Sequence, residues 1–282
     1  MKTYATDISA TGLAFPEGPR WHDDRLWFTD QHARRIYTMQ TCGALQTVAH
    51  TADLPGGLGW LPDGTLLVVY MTQRRIMRLS GAELHPYADL SQHARFHCND
   101  MVVDAVGRVY AGNFGFDLHG GEATRATEII LVDSDGTIEP FATDMVFPNG
   151  SVITPDGRQL LVAETFAHRI SAFDLDSDGR PQLRRVWAEL GNATPDGICL
   201  DREGALWVAS PGSGEVIRVK QGGAILARCT TRGTPYACML GGHGRDTLYV
   251  CSAETDDPDQ AARRKSGRIE QVKVAVPGAG RP

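Results

Sequence analysis

The sequence predicts an all-β fold, a six-bladed β-propeller, on the basis of three observations. A hexamer rich in Val, Leu and aromatic residues occurs six times, at intervals of 40 to 51 residues. Each copy follows a turn signal such as "HDD", "PDG" or "REG", which indicates a strand entered from a tight turn. A second apolar run precedes each turn and a third follows each hexamer. Units of about 40 to 50 residues with three or four short strands are typical of propeller blades.

The strands of the six units can be assigned in chain order. The first strands are predicted within "EGPRW", "GLGW", "DMVV", "GSVI", "GICL" and "ACML". The second strands are predicted at "RLWFTD" (25), "TLLVVY" (65), "RVYAGN" (108), "QLLVAE" (159), "ALWVAS" (205) and "TLYVCS" (247). The third strands are predicted at "RIYTM", "RIMRL", "EIILV", "RISAF", "EVIRV" and "RIEQV". These runs are too short and too β-branched for a helical solenoid, and a sandwich would not repeat this regularly.

The two ends of the chain are expected to meet. The N-terminal stretch and the final "GRIEQVKV" should share the last blade, because closing the ring removes exposed sheet edges. Residues 1–282 are therefore expected to form one domain.

Composition excludes several classes of function. The chain is 42% hydrophobic and 22% charged, with a net charge of -6, so it carries no basic footprint for nucleic acid. Its apolar runs are far shorter than the roughly 20 residues that span a bilayer. The N-terminal "MKTYATDISA" has no apolar core of a signal peptide. We therefore expect a cytoplasmic protein with a small-molecule partner and no membrane contact. The sequence does not determine its oligomeric state.

Polar side chains recur at the head of the first strands, which line the central channel in a propeller. The aligned positions are Glu17, Gly56, Asn99, Asn149, Asp196 and Tyr236. Two carboxylates and two amides on one axis would be costly to desolvate, and no Lys or Arg occupies an equivalent position. Asn-Gly and Asp-Gly are also good turns, which would explain Asn149 and Asp196 but not Glu17. The pattern predicts one hard divalent cation at the mouth of the channel, Ca²⁺, Mg²⁺ or Mn²⁺ in preference to Zn²⁺.

The segments "FPEGPRW", "NDMVVDAVGR", "FPNGSVITPDG" and "TPDGICLD" resemble the regucalcin, gluconolactonase and luciferin-regenerating enzyme family. The resemblance covers nearly the whole chain and implies a lactonase. It implies that Glu17, Asn149 and Asp196 bind the metal, that Asn99 completes the site or contacts substrate, and that Asp196 is the general base. Sugar-lactone members commonly carry Arg where this chain has His97, which argues against a sugar-acid substrate.

The expected function is therefore hydrolysis of a lactone by a metal-activated water, with Asp196 as general base. Ca²⁺ is the expected ion, with Zn²⁺, Mg²⁺ or Mn²⁺ also compatible. The residues expected to contact substrate are Asn99, Asp100, Arg95, His97, Phe114, Phe116 and Glu254. Two alternatives stay open, a calcium-binding regulatory or scaffold propeller and a metal-dependent aryl- or phosphate-ester hydrolase.

Two long insertions follow the second strands of the third and sixth repeats. They read "FGFDLHGGEATRAT" and "AETDDPDQAARRKSG". Because these repeats lie three blades apart, we expect the insertions to face each other across the mouth as a lid. Phe114, Phe116 and Leu118 would give an apolar wall, and Glu254 or Arg263 would reach the polar end of a substrate.

Overall fold

The computed structural model describes residues 1–280, in which 25 strands form six sheets around a central channel. Two strands precede the first complete blade, β1 (Lys2–Ala5) and β2 (Asp7–Leu13). Blade 1 contains β3 (Pro16–His22), β4 (Arg25–Asp30), β5 (Arg35–Met39) and β6 (Leu45–His50). Blade 2 contains β7 (Pro55–Trp60), β8 (Leu66–Tyr70), β9 (Arg75–Ser80) and β10 (Glu83–Asp89). Blade 3 contains β11 (Cys98–Val103), β12 (Val109–Asn113), β13 (Thr127–Val132) and β14 (Ile138–Met145).

The second half of the chain continues this order. Blade 4 contains β15 (Pro148–Ile153), β16 (Gln159–Glu164), β17 (Arg169–Leu175) and β18 (Pro181–Glu189). Blade 5 contains β19 (Ile198–Leu200), β20 (Leu206–Ser210), β21 (Glu215–Val219) and β22 (Ile225–Thr230). Blade 6 contains β23 (Thr234–Gly241), β24 (Thr247–Ala253) and β25 (Gly267–Lys273). A 3-10 turn spans Thr165–Ala167, and the helix α1 spans Pro258–Arg264.

The six predicted hexamers are the second strands of the six blades, which confirms the propeller. They are the most buried strands, because each lies inside its sheet and between two neighbouring blades; β8, β12, β20 and β24 are buried at every residue. The core consists of apolar layers between blades. Trp21 of blade 1, for example, stacks on Tyr249 of blade 6 with ring centroids 5.8 Å apart. A side chain at Gly241 would overlap the Trp21 ring, so the glycine permits this packing.

The N-terminus closes the ring, as predicted. Strand β2 pairs antiparallel with β25 and becomes the outer strand of blade 6. Strand β1 was not predicted, and it pairs parallel with β22 at the outer edge of blade 5. The buried carboxylate of Glu270 holds this junction, because it accepts hydrogen bonds from the Thr6 and Ser252 hydroxyls and from two backbone amides, Arg232 N at 2.7 Å and Gly233 N at 3.0 Å.

The segment after β25 runs beneath the channel, at the end opposite the predicted metal site. Arg202 N donates to the Pro277 carbonyl at 2.9 Å, and Ala279 N donates to the Leu200 carbonyl at 2.9 Å. Gly278 N donates to the Arg245 carbonyl at 2.8 Å. A void of about 10 Å³ remains above this segment, enough for about one water molecule.

No helix within residues 1–280 has the length and apolar character needed to cross a membrane. The cytoplasmic location stays a prediction.

Candidate active site

A cavity of about 360 Å³ opens at the channel mouth, where the first strands of the blades begin. The aligned head positions form what we call the polar ring: Glu17, Gly56, Asn99, Asn149, Asp196 and Tyr236. All of these except Gly56 line the cavity. A small residue, Gly or Ala, follows every head position except Asn99 and lets the strands approach the axis. A Cβ at Gly150 would lie 2.6 Å from the Asp196 carbonyl oxygen. The repeat therefore brings two carboxylates and two amides from four blades into one cavity, together with the phenol of Tyr236 from blade 6.

The two carboxylates of the polar ring are electrostatically strained. Burial raises the pKa of Glu17 to about 7; the hydrogen bond from Gly18 N, at 2.7 Å, opposes the rise and the charge of Asp100 adds to it. Burial also raises the pKa of Asp196 well above its usual range, and the charges of Glu17 and Asp100 raise it further. Both side chains keep some exposed area toward the cavity, yet protein surrounds them on all other sides. A proton or a cation is needed to relieve the repulsion between them.

Thr165 fixes the orientation of the Asn149 amide. Its hydroxyl donates to the Pro195 carbonyl at 2.8 Å and lies 3.2 Å from Asn149 Nδ2. Because the hydroxyl proton is already used, Thr165 can only accept, so Asn149 must present its NH₂ group there. The carbonyl oxygen of Asn149 is thereby left for a ligand.

The donor set of Glu17, Asn149 and Asp196 fits a hard divalent ion. All three side chains offer oxygen, and a cation would offset the cost of burying both carboxylates. Within residues 1–280 no three His, Cys, Asp or Glu side chains cluster as a metal site. The set Glu17, Asn149 and Asp196 differs from such clusters because Asn149 would bind the ion through an amide oxygen.

Asp100, a predicted substrate contact, lies one layer deeper than the cavity wall. Arg20 Nη2 donates to Asp100 Oδ1 at 2.6 Å and to the Met101 carbonyl at 2.7 Å. Sequence reasoning missed Arg20 because only positions equivalent to Glu17 were compared. The register of β3 shifts between Glu17 and Arg20, and this irregularity brings Arg20 into the channel.

The other predicted substrate contacts divide into two groups. Asn99, His97 and Phe114 line the cavity, whereas Phe116, Arg95 and Glu254 do not. The expected place of Phe116 on the wall is corrected: its ring is 2% exposed and packs behind Phe147, with centroids 5.7 Å apart.

Arg95 and Glu254 are corrected in the same way. Arg95 is exposed outside the mouth. Glu254 turns away from the mouth and pairs with Arg268, with 3.3 Å between the charged atoms.

A second set of residues lies just above the polar ring, and sequence reasoning did not identify it as a set. We call the residues two positions before each polar-ring residue the upper ring: Phe15, Leu54, His97, Phe147, Thr194 and Thr234. The first five line the cavity. Part of the signal was available in the sequence, because "FPEG" at residue 15 matches "FPNG" at residue 147. Phe147 has a φ of 56°, rare for an aromatic residue.

Both long insertions reach the cavity, as the lid prediction requires. The blade 3 insertion contributes Leu118 and His119, and the blade 6 insertion contributes Asp256 and Pro258. Asp256 takes the place that was expected for Glu254 or Arg263.

Helix α1 gives the blade 6 insertion a fixed shape. Its N-cap, Asp257, accepts a hydrogen bond from Gln260 N at 2.8 Å. Near both insertions, burial lowers the pKa of His32, while Asp30 and Asp256 act in the opposite direction.

Comparison with known proteins identifies the family of this chain. The family model described as SMP-30/Gluconolactonase/LRE-like region matches residues 15–254. The chain belongs to this family. A relative in the SMP-30/gluconolactonase family, the 6-deoxy-6-sulfogluconolactonase of Pseudomonas putida, is 32% identical over 94% of this chain and 93% of its own length. The pentonolactonase of Haloferax volcanii is 29% identical over 97% of this chain and 95% of its own length.

A solved structure supports the fold of this family member. The regucalcin of Agrobacterium tumefaciens, described as a calcium-binding protein, superimposes with a TM-score of 0.83 at 21% identity, covering 100% of this chain and 98% of the other. The resemblance seen in the four sequence motifs is thus confirmed.

Proposed function

We propose that this protein is a metal-dependent lactonase that opens a cyclic ester by attack of water, with Asp196 as general base. The observation that carries the proposal is the convergence of Glu17, Asn149 and Asp196, from three blades, in one cavity where burial opposes the ionisation of both carboxylates until a cation offsets it. The lactonase names of two full-length relatives support the reaction class.

Glu17, Asn149 and Asp196 would hold the ion, and Ca²⁺ is the first ion to test because the regucalcin neighbour is described as calcium-binding. When bound, a divalent ion supplies a Lewis acid for the lactone carbonyl and lowers the pKa of a nearby water. Thr165 holds the Asn149 amide with its oxygen toward the site.

The side chains of the chain itself move the proton. Asp196 takes a proton from the attacking water, whose oxygen bonds to the carbonyl carbon as the ring C–O bond breaks. The same carboxyl then returns the proton to the departing ring oxygen, so the product is a hydroxy acid. Asn99 lies in the same ring and can donate a hydrogen bond to a substrate oxygen. The Arg20–Asp100 pair lies below and fixes the floor of the site.

A lactone screen with and without chelator tests this proposal. We expect γ- and δ-lactones to be hydrolysed in the presence of a divalent ion and not after its exhaustive removal. Asp196→Asn should lower kcat by roughly 10² or more, the scale of general-base catalysis. Asp156→Asn, in an exposed turn, is the matched control and should have no effect.

Two results would overturn the proposal. Full activity after chelation would show that the reaction requires no metal ion. Wild-type activity in Asp196→Asn, with bound metal retained, would assign the base to another group. A chain that binds Ca²⁺ but turns over no ester would favour a regulatory or scaffold role.

A further inference from the structure

One side of the cavity is apolar. Side chains from blades 2, 3 and 4 form what we call the apolar wall: Leu54, Met71, Phe114, Leu118, Phe147 and Phe166. The Phe114 and Phe147 ring centroids lie 4.5 Å apart, and those of Phe147 and Phe166 lie 4.9 Å apart. Phe116 supports these rings from behind. The wall is therefore a packed aromatic surface with a fixed shape.

The charges around the cavity are unsuited to an anionic substrate. Among residues 1–280, no Lys or Arg side chain lines the cavity. The Arg20 guanidinium lies below the polar ring and is paired with Asp100, and the guanidinium of Arg74, which acts on His97, donates to the Ala94 carbonyl at 3.2 Å. The rim adds a carboxylate, Asp256. His32, His97 and His119 also line the cavity, and burial lowers the pKa of His32 and His97, which favours their neutral forms. A carboxylate, phosphate or sulfonate on a substrate would therefore lose water here without gaining a permanently charged cationic partner from the protein.

The apolar wall also offers nothing to hydroxyl groups. A buried hydroxyl without a hydrogen-bond partner costs free energy, and the wall consists of carbon and sulfur atoms. An alkyl or aryl group placed there gains the full effect of leaving water.

We propose that the preferred substrate is a neutral lactone that carries an alkyl or aryl substituent. The substituent lies against the apolar wall while the lactone ring lies over the polar ring. This inference rests on the proposed lactonase function and narrows its substrate class. It departs from the sugar-derived substrates for which the two curated relatives are named.

The test is a matched series of γ-lactones with hydrogen, methyl, butyl or phenyl on the ring carbon next to the ring oxygen. A polyhydroxylated lactone and a lactone with a carboxylate complete the panel. Each buried methylene should raise kcat/KM by up to about four-fold. We expect the butyl and phenyl compounds to exceed the unsubstituted one by at least about ten-fold, and the hydroxylated and carboxylated compounds to be slowest. If either of those equals the butyl compound, the inference is overturned.

Binding of the corresponding lactams, which are not hydrolysed, separates this inference from the proposed reaction. Calorimetric titration should show the butyl lactam binding at least about ten-fold more tightly than the unsubstituted lactam. A chain that hydrolyses no lactone but keeps this order would fail as a lactonase and still support the cavity assignment. Equal affinities for the two lactams would overturn the assignment.

A substitution in the apolar wall tests whether the wall determines the preference for alkyl-substituted lactones. Phe166 is 37% exposed at the rim, so Phe166→Ala can be made without opening the core. This change should reduce the butyl-to-hydrogen ratio of kcat/KM by about five-fold. Leu183→Ala, at an exposed position on β18, is the matched control and should keep the ratio.

A reciprocal variant places a cation in the cavity. His97→Arg adds a guanidinium to the upper ring, beside Asn99, and should raise kcat/KM for the carboxylated lactone relative to the butyl lactone by about ten-fold. An unchanged ratio in both Phe166→Ala and His97→Arg would overturn the inference.

Discussion

Single side chains in the channel form two charge systems, one above the other. In the upper one, burial raises the pKa values of Glu17 and Asp196 and the charge of Asp100 raises both further, while the charge of Arg20 offsets only part of the rise at Glu17. In the lower one, Asp100 is paired with Arg20. The upper pair of carboxylates is suited to binding a cation, whereas the lower ion pair stabilises the fold.

The upper system predicts an unusual dependence of stability on pH in the metal-free protein. The pKa of Glu17 rises from 4.5 to about 7 on folding. A raised pKa means that the favourable contribution is complete below pH 4.5 and is lost as pH rises through about 7. Metal-free Glu17→Gln should therefore match wild type near pH 4.5 and exceed its free energy of unfolding above pH 7 by up to about 3 kcal/mol.

Thermal melts at several pH values, with and without Ca²⁺, measure this. Added Ca²⁺ should stabilise wild type and leave Glu17→Gln nearly unchanged. A stability difference that does not vary with pH would show that Glu17 is not strained in the folded protein.

The lower system predicts a large penalty when one partner is removed. Arg20→Met leaves the Asp100 carboxylate without its cationic partner, with only the hydrogen bond from Met101 N at 2.9 Å remaining, and should cost about 3–5 kcal/mol in urea unfolding. The double variant Arg20→Met/Asp100→Asn should regain much of this loss. Arg75→Met, which breaks the exposed pair with Asp89, is the control and should cost about 0.5 kcal/mol. Equal losses in the two single variants would contradict the assignment.

The strands differ in how well they could be predicted from the sequence. The second strands were found because burial on both faces requires continuous apolar runs. The outer strands were not assigned one by one, since β6 and β10 are mostly exposed and carry little apolar signal. Strand β1 could not be predicted, because its parallel pairing with β22 depends on how the closed ring brings residues more than 220 apart in sequence together.

The site residues, like the strands, could be predicted only where they belong to the repeat. Residues tied to the repeat, such as Glu17 and Asn149, were placed in the cavity by alignment alone. Phe116 and Glu254 belong to insertions, where no periodicity fixes the direction of a side chain. Arg20 was missed because only the head positions were compared. The register shift that follows the head position in five blades, and that brings Arg20 into the channel, leaves no mark in the pattern of apolar residues.

The junction between β25 and its neighbours yields a third prediction. Glu270→Gln replaces a buried acceptor of four hydrogen bonds by a group that can accept fewer of them, so at least one donor loses its partner. The expected cost is about 3 kcal/mol. Glu83→Gln, at a side chain 82% exposed on β10, is the matched control. If urea unfolding gives the two variants the same midpoint, Glu270 does not hold the junction.

At the scale of the whole molecule, the N-terminus has two separable contributions. Deleting residues 1–5 removes β1 and should lower Tm by roughly 2–5 °C, since β1 covers the edge of blade 5 and adds one aromatic contact, between Tyr4 and Trp207 with ring centroids 5.8 Å apart. Deleting residues 1–13 also removes β2, which exposes the edge of β25 and opens the ring. The longer deletion should aggregate or lose its cooperative transition. A cooperative melt near the wild-type Tm in the longer deletion would show that closure is not required.

The segment at residues 274–280 covers the lower end of the channel, opposite the cavity. Arg20 lies in the lower half of the channel and residues 274–280 run beneath it, so the wider opening is the one bordered by the two insertions. Under the proposed function, the lactone enters and the hydroxy acid leaves past the same two insertions. The rate of product release is then set by residues of those insertions, such as Leu118 and Asp256, as well as by the chemistry below them.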